Sequence, residues 1–284
     1  MMRANLFALG AIALWATLAS LGVSLAHVPP FLLTGMALCT GSVLAWPSVA
    51  REPACWRVAP ATLALGVYGL FGFHFLLFIA LRHAPPVEAN LVNYLWPLFI
   101  VVLAPIFLPG VKLRAAHVAA ALAGFAGAGI AILGARETGN AAGWTWGYLP
   151  AMGSAFIWAS YSLWSKRVQG TGRTFPTAAI GLFGLVSGLL SLACHVLLEP
   201  AVVLQPLDFL LIGAMGLGPL GAAFFLWDRA LKLGDARHIG ILSYLTPLCS
   251  TGLLMAVSGR AFSWNIAMAA ALIIGAAIAG TRVR

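Results

Sequence analysis

Apolar residues fall along the chain in long unbroken runs, not in the strict alternation of a half-buried strand or the one-sided stripe of a soluble helix. The runs lie at about 5–25, 30–46, 59–81, 89–108, 115–134, 146–163, 175–198, 209–226, 239–257 and 262–279. Each has roughly the number of residues a helix needs to cross a ~30 Å hydrocarbon core, and lipid leaves the helix as the form that satisfies its own backbone. Ten transmembrane helices are expected. The segments between the runs are short and carry nearly all the ionisable residues, so no soluble domain is expected. Arg3 ahead of an apolar stretch, with Ser24, Leu25 and Ala26 behind it, also fits a cleaved leader. The repeat described below needs this segment, so it is counted as the first helix.

Composition agrees with lipid as the main solvent. Of 284 residues 62% are hydrophobic and 8% charged, and mean hydropathy is +0.98. Such a chain cannot cover itself with polar surface, which excludes soluble enzymes, disordered regions and collagen-like rods. The four cysteines, Cys39, Cys55, Cys194 and Cys249, lie far apart, and neither a disulfide framework nor a zinc site follows from their spacing.

The net charge of +9 could point to nucleic acid. Assigning the loops to alternate sides gives a different reason. Thirteen of the sixteen Lys and Arg residues fall on the side that holds Arg3, and only Arg82, Arg136 and Arg260 fall on the other. That asymmetry is the positive-inside pattern, and it predicts that both termini face the cytoplasm.

The chain also repeats itself. Residues 80–98 read ALRHAPPVEANLVNYLWPL, and residues 230–248 read ALKLGDARHIGILSYLTPL. Residues 10–16 (GAIALWA) match 153–159 (GSAFIWA). The halves are expected at 1–138 and 144–284, with five helices each. Five is odd, so the second half must enter the membrane from the opposite side. Inverted repeats of this kind suit secondary transporters, whose two halves can exchange inward-open and outward-open shapes around a midplane site.

Ten helices in five-plus-five inversion, the Trp-Ala motif of the first and sixth runs, and Tyr-Leu-x-Pro in the fourth and ninth resemble the drug/metabolite transporter superfamily in its EamA-type branch. Within it, NLVNYLWPL at 90–98 is similar to bacterial aromatic amino-acid exporters. The resemblance covers the whole chain. It implies an all-α polytopic protein of a bacterial inner membrane that exports aromatic and other neutral amino acids. Export of another metabolite or a drug is the alternative.

Helical spacing puts Asn90, Asn93, Tyr94, Pro97 and Val101 on one face of the fourth run, and Gly240, Ser243, Tyr244, Pro247 and Thr251 on the equivalent face of the ninth. Two readings stand for this polar face: it lines a solute site, or it bonds helix to helix. Proline lacks an N–H, so Pro97 and Pro247 are expected to free the carbonyls of Asn93 and Ser243 and to act as hinges. His74, deep in the third run, either meets a substrate carboxylate or a proton, or is bonded to a neighbouring helix. Trp15, Phe78, Tyr94, Trp96, Trp158, Tyr161, Trp227 and Tyr244 lie inside runs, whereas Trp46, Trp56, Trp144, Trp146 and Trp264 suit interfacial anchoring. The interior rings either pack the core or wall a site for a flat solute.

The expected binding set is therefore Trp15, His74, Phe78, Asn90, Asn93, Tyr94, Trp96, Trp158, Tyr161, Ser243 and Tyr244. Aromatic walls would take the side chain, and Asn90, Asn93, Ser243, His74 and the freed carbonyls the zwitterionic end. The first, third, fourth, sixth, eighth and ninth helices would form the central cavity.

Seven carboxylates, Glu52, Glu88, Glu137, Glu199, Asp208, Asp228 and Asp235, all sit at or near run boundaries. Multidrug relatives in the superfamily carry a glutamate in the first helix, where this chain has Trp15 and Thr17. Facilitated diffusion is therefore expected over carboxylate-coupled antiport. No H-E-x-x-H, G-x-S-x-G or Walker A sequence occurs, so neither an enzyme nor an ATP-driven pump is expected, and no cofactor or metal.

Overall fold

The computed structural model describes residues 2–134, 145–169, 171, 174–258 and 264–282. Arg136, Glu137, Trp144, Arg173, Arg260 and Arg284 lie outside them. Among the described residues the regular structure is all helical. In order the α-helices are α1 (Met2–Ala16), α2 (Leu18–Ser24), α3 (Pro30–Ser42), α4 (Trp46–Arg51), α5 (Pro60–Val67), α6 (Phe73–His83), α7 (Pro86–Asn93), α8 (Trp96–Phe107), α9 (Ala115–Gly134), α10 (Tyr148–Val168), α11 (Ala179–Leu198), α12 (Pro206–Leu217), α13 (Ala223–Leu233), α14 (Ala236–Leu242), α15 (Leu245–Ser258) and α16 (Trp264–Arg282).

Among the described residues seven segments are long and apolar enough to span a membrane: Met2–Ser24, Pro30–Arg51, Pro60–His83, Pro86–Phe107, Ala115–Leu133, Ala179–Leu198 and Pro206–Leu233. They coincide with the first five, the seventh and the eighth of the expected runs. Four of them open on proline, whose fixed φ and missing N–H suit the first helical position.

The sixth run departs for a visible reason. The sixth, α10, is too polar: Ser154, Ser160, Ser162 and Ser165 are all buried along it, and Lys166 ends it. It packs against α6, α7, α8 and α13, and leaves Leu149, Met152, Phe156 and Trp164 exposed. A helix this polar is tolerated because its neighbours bond Ser154, Ser160 and Ser162. The ninth run forms α14 and α15, and the tenth forms α16.

Several spans are interrupted, and the interruptions recur 150 residues apart. Tyr68–Gly72 and Gly218–Ala222 are π turns, each feeding a helix of identical length, α6 and α13. α7 stops before Tyr94-Leu95 and α14 before Ser243-Tyr244, one position earlier in the repeat, and α8 and α15 follow. At these breaks the chain tightens: Leu95 N–H donates to Val92 O (3.0 Å), and Tyr244 N–H to Ile241 O (3.2 Å). Pro97 consequently sits in the first turn of α8 and not mid-helix. The expectation that Pro247 frees the Ser243 carbonyl does not hold, because Thr246 N–H donates to it at 2.9 Å. A three-residue turn supplies the donor that the proline lacks.

The second π turn also fixes how closely helices meet. A Cβ on Gly41 would lie 2.7 Å from Gly216 O and 2.8 Å from Gly221 Cα, both backbone atoms that cannot rotate away. In the first π turn, a Cβ on Gly69 would meet the Tyr161 ring at 2.3 Å. Outside the spans, Asp235 caps α14 through Arg237 N–H (2.8 Å). Burial works against its carboxylate, yet the Arg237 side chain and backbone outweigh it and hold the carboxyl below its usual range.

Gly41→Ala is therefore expected to cost about 1–3 kcal/mol through overpacking. A lower thermal midpoint of the detergent-purified protein would register it, and an unchanged midpoint would contradict this account of the contact.

Candidate functional site

Four tryptophans from four helices meet inside the bundle. Trp15 of α1 lies 6.3 Å from Trp96 of α8, 5.9 Å from Trp158 of α10 and 5.3 Å from Trp227 of α13, ring centre to ring centre. Trp96 lies 5.5 Å from Trp227 and 6.4 Å from Trp158, and Trp158 and Trp227 are stacked at 6.3 Å. Most of these pairs are edge-on, the arrangement the ring quadrupole favours. Phe224, Tyr161 and Phe73 close on Trp158, each at 5.5 Å.

The cluster lies deep in the spans. Trp96 and Trp158 are each ten residues into the Pro86–Phe107 segment and into α10, about 15 Å along the axis. Trp15 is thirteen residues beyond Met2, about 20 Å. Against a ~30 Å core these depths are near the midplane.

Polar groups fix the rings in place. Trp15 Nε1 donates to Pro219 O (3.1 Å), a carbonyl within the second π turn. Trp227 Nε1 donates to Ser162 Oγ of α10 (3.1 Å). Tyr68 OH and Ser160 Oγ are 2.8 Å apart, and the Ser160 proton goes to Phe156 O (2.7 Å), so Tyr68 is the donor. Ser154 Oγ stands 2.8 Å from Asn93 Oδ1 and 2.7 Å from Ala151 O. Three serines of α10 thus hold α7, the first π turn and α13.

His74 borders the cluster, with Phe224 at 6.3 Å and Phe73 at 5.0 Å. Its Nδ1 is 2.6 Å from Leu70 O, within the first π turn. A carbonyl only accepts, so Nδ1 carries the proton and Nε2 of the neutral ring is left as an acceptor.

The structure brings together Trp15, His74, Trp96, Trp158 and Tyr161 of the expected set, with Phe78 adjoining through His74 (6.1 Å) and reaching Phe31 (5.4 Å). Asn93 is buried and bonded to Ser154, which fits helix-to-helix bonding. Asn90 is half-buried with no hydrogen bond to another described side chain, and Tyr94 is half-buried at the break itself. Ser243 donates to Gly240 O of its own helix (2.6 Å). Tyr244 is fully buried elsewhere, against Ala128, Ile273 and Phe125. The ninth run thus contributes neither of its two expected residues to the cluster: Ser243 bonds back to Gly240, and Tyr244 packs against α9 and α16.

The expected binding set omits Trp227, one of the interior rings, and Phe224. The signal was available: Phe224 stands 150 positions after His74, so the repeat places the two at equivalent sites.

No ionised side chain belongs to the cluster. Asp228, next to Trp227, is 5% exposed and lies inside the Pro206–Leu233 span, deeper than its place near a run boundary suggested. It pairs with Lys232 (2.7 Å) and accepts from Thr177 Oγ1 (2.7 Å). Among the described residues no three His, Cys, Asp or Glu side chains converge as metal ligands would.

A polytopic helical membrane protein whose midplane holds converging aromatic rings and a few uncharged polar groups is the class that fold and site define. The chain belongs to the EamA-like transporter family, which matches residues 2–133 and 145–280, and so is a membrane transporter and not an enzyme. It is 43% identical, over 289 residues, to the aromatic amino acid exporter YddG of Ancylobacter novellus, covering 98% of this chain and 96% of that one. The proteins of the same name from Salmonella typhimurium and Escherichia coli K12 are 28% and 26% identical, over 92% and 97% of this chain and 92% and 96% of theirs. A solved crystal structure superposes with a TM-score of 0.88 at 40% identity, covering 98% of this chain and 97% of that one.

Ser154→Ala removes the partner of a buried amide and is expected to cost about 1–3 kcal/mol. Thermal unfolding in detergent checks this, and no change in midpoint would show that Asn93 has another partner.

Proposed function

We propose that the protein exports aromatic and other neutral amino acids from the cytoplasm across a bacterial inner membrane, by alternating access and without ion coupling. The observation that carries this reading is the four-indole cluster with His74 at its border. Rings at 5.3–6.4 Å from one another, packed on themselves, part to take a flat side chain by edge and face contacts. His74 Nε2 offers an acceptor for the ammonium group, and the unbonded Asn90 amide offers donors for the carboxylate. The names of the three relatives support the same substrate class.

The architecture behind the proposal is ten membrane-crossing segments in two inverted halves, 1–138 and 144–284, with both termini in the cytoplasm. Supporting it are the paired π turns and paired breaks 150 residues apart, the 13-to-3 sorting of basic residues, and the division of the family match at residues 133 and 145. The bilayer and a small solute are the only partners proposed, with no nucleic acid. The hinges of the cycle are the breaks that precede Pro97 and Pro247. Asp228, already neutralised by Lys232, is not a free carboxylate for coupling.

In proteoliposomes, counterflow of radiolabelled phenylalanine or tryptophan is expected without any ion gradient, and Trp158→Ala should reduce it about tenfold or more, equivalent to about 1.4 kcal/mol. Failure of all aromatic amino acids to compete, or a strict requirement for a proton or sodium gradient, would overturn the proposal. Asn90→Ala is expected to raise KM with little change in maximal rate, as for lost ground-state binding.

A further inference from the structure

Two ionic clusters sit at opposite ends of the first span, and both lie outside the aromatic site. Near the far end of Met2–Ser24, Glu199 at the end of α11 has a side chain with 0% exposure. Its carboxylate accepts from Phe31 N–H (3.0 and 3.1 Å) and Leu32 N–H (3.2 Å), which open α3. It also accepts from Arg82 Nη2 at the end of α6 (2.7 Å) and from His195 Nδ1 (3.0 Å). The Arg82 guanidinium lies 5.7 Å over the Phe31 ring. One carboxylate therefore ties three helices together.

Near Met2, where Gly234 abuts Ala4 and His238 Nε2 bonds Asn5 Oδ1 (3.0 Å), Lys232 ends α13. Its Nζ donates to Phe175 O (3.0 Å) and Thr177 Oγ1 (3.2 Å), just ahead of α11, and lies 4.7 Å over the Phe175 ring. Lys232 follows Arg82 by 150 residues, and Phe175 follows Phe31 by 144. Each end thus has a cation in the last turn of one helix clamped on a phenylalanine at the start of another or just ahead of it. The ends differ in their carboxylate. Glu199 reaches Arg82 from a different helix, whereas Asp228 reaches Lys232 from four residues back on the same helix (2.7 Å).

We propose that these clusters are the two latches of the transport cycle. Arg82 with Glu199 holds shut the end of the bundle near His27, and Lys232 with Phe175 and Thr177 holds shut the end near Met2. This rests on the alternating-access reading, in which one end opens at a time. The Arg82 latch is the stronger, since its ion pair joins separate helices and its carboxylate, wholly buried, also holds the Phe31 and Leu32 amides that open α3. At the Lys232 latch the bonds from Lys232 to other elements go to uncharged oxygens, and Asp228 is met across by the Thr177 hydroxyl. Opening the Arg82 end is then the slower transition.

Backbone hydrogen exchange of the intact protein in nanodiscs, without substrate, tests the latches independently of what is transported. In Arg82→Gln, peptides covering residues 28–34 and 197–204 should exchange about tenfold faster or more, while peptides covering 174–180 stay as in the unmutated chain. Lys232→Met should produce the converse, and Arg82→Lys should retain most of the protection. No change, equal change at both ends, or full loss of protection in Arg82→Lys would overturn the proposal. In parallel, Arg82→Gln should speed phenylalanine counterflow more than Lys232→Met does, and the reverse order would overturn the assignment of the stronger latch. A chain with end-specific exchange changes but no amino-acid counterflow would retain the latches and refute the substrate reading.

Discussion

A hydroxyl or amide buried in a lipid-embedded bundle needs a partner, since no water is at hand to supply one, and α10 is where this protein meets that requirement most often. Its serines at 154, 160 and 162 bind Asn93, Tyr68 and Trp227. Because those partners sit on α7, in the first π turn and on α13, the polar helix acts as the post to which the surrounding elements are bonded. The aromatic cluster is a consequence of that arrangement. Trp227 points inward because Ser162 takes its N–H, and Trp158 lies on α10 itself. Apolar packing alone leaves ring orientation loosely specified in a core next to lipid that is equally apolar, whereas a hydrogen bond selects one rotamer.

Irregular backbone performs the second half of the positioning. A π turn supplies carbonyls outside the regular ladder, and both π turns use them: Leu70 O receives His74, and Pro219 O receives Trp15. The two polar anchors of the site are thus fastened to equivalent places in the two parts of the chain. Glycines allow the same turns to lie against neighbours, Gly69 under the Tyr161 ring and Gly221 against Gly41. Wide turns inside helices are frequent at functional sites for this reason.

The sequence made the helical class and most spans legible because run length and hydropathy answer directly to bilayer thickness. It made α10 legible as a run but not as a polar one, since the meaning of its serines depends on neighbours far away in the chain. Trp15, His74, Trp96, Trp158 and Tyr161 could be picked out as interior residues in repeated motifs, and they converge. Ser243 and Tyr244 do not join them. Their expected face follows from a regular helical period, and the chain drops that period at Ser243-Tyr244, between α14 and α15. The role expected of the Ser243 carbonyl failed for the same reason, because a proline's missing donor was replaced by Thr246, one residue away from it. Phe224 was hidden by chemistry: the repeat pairs it with His74, and similarity of residue type gave no cue.

The packing of four indoles has an optical consequence. Chromophores with centres 5.3–6.4 Å apart, most of them fixed at steep angles, share their excited states. Such coupling gives paired bands of opposite sign in near-ultraviolet circular dichroism, and these collapse when the chromophores separate. Any solute that enters among these tryptophans has to part them. The protein therefore carries an intrinsic spectroscopic record of whether its centre is filled by its own side chains or by a guest.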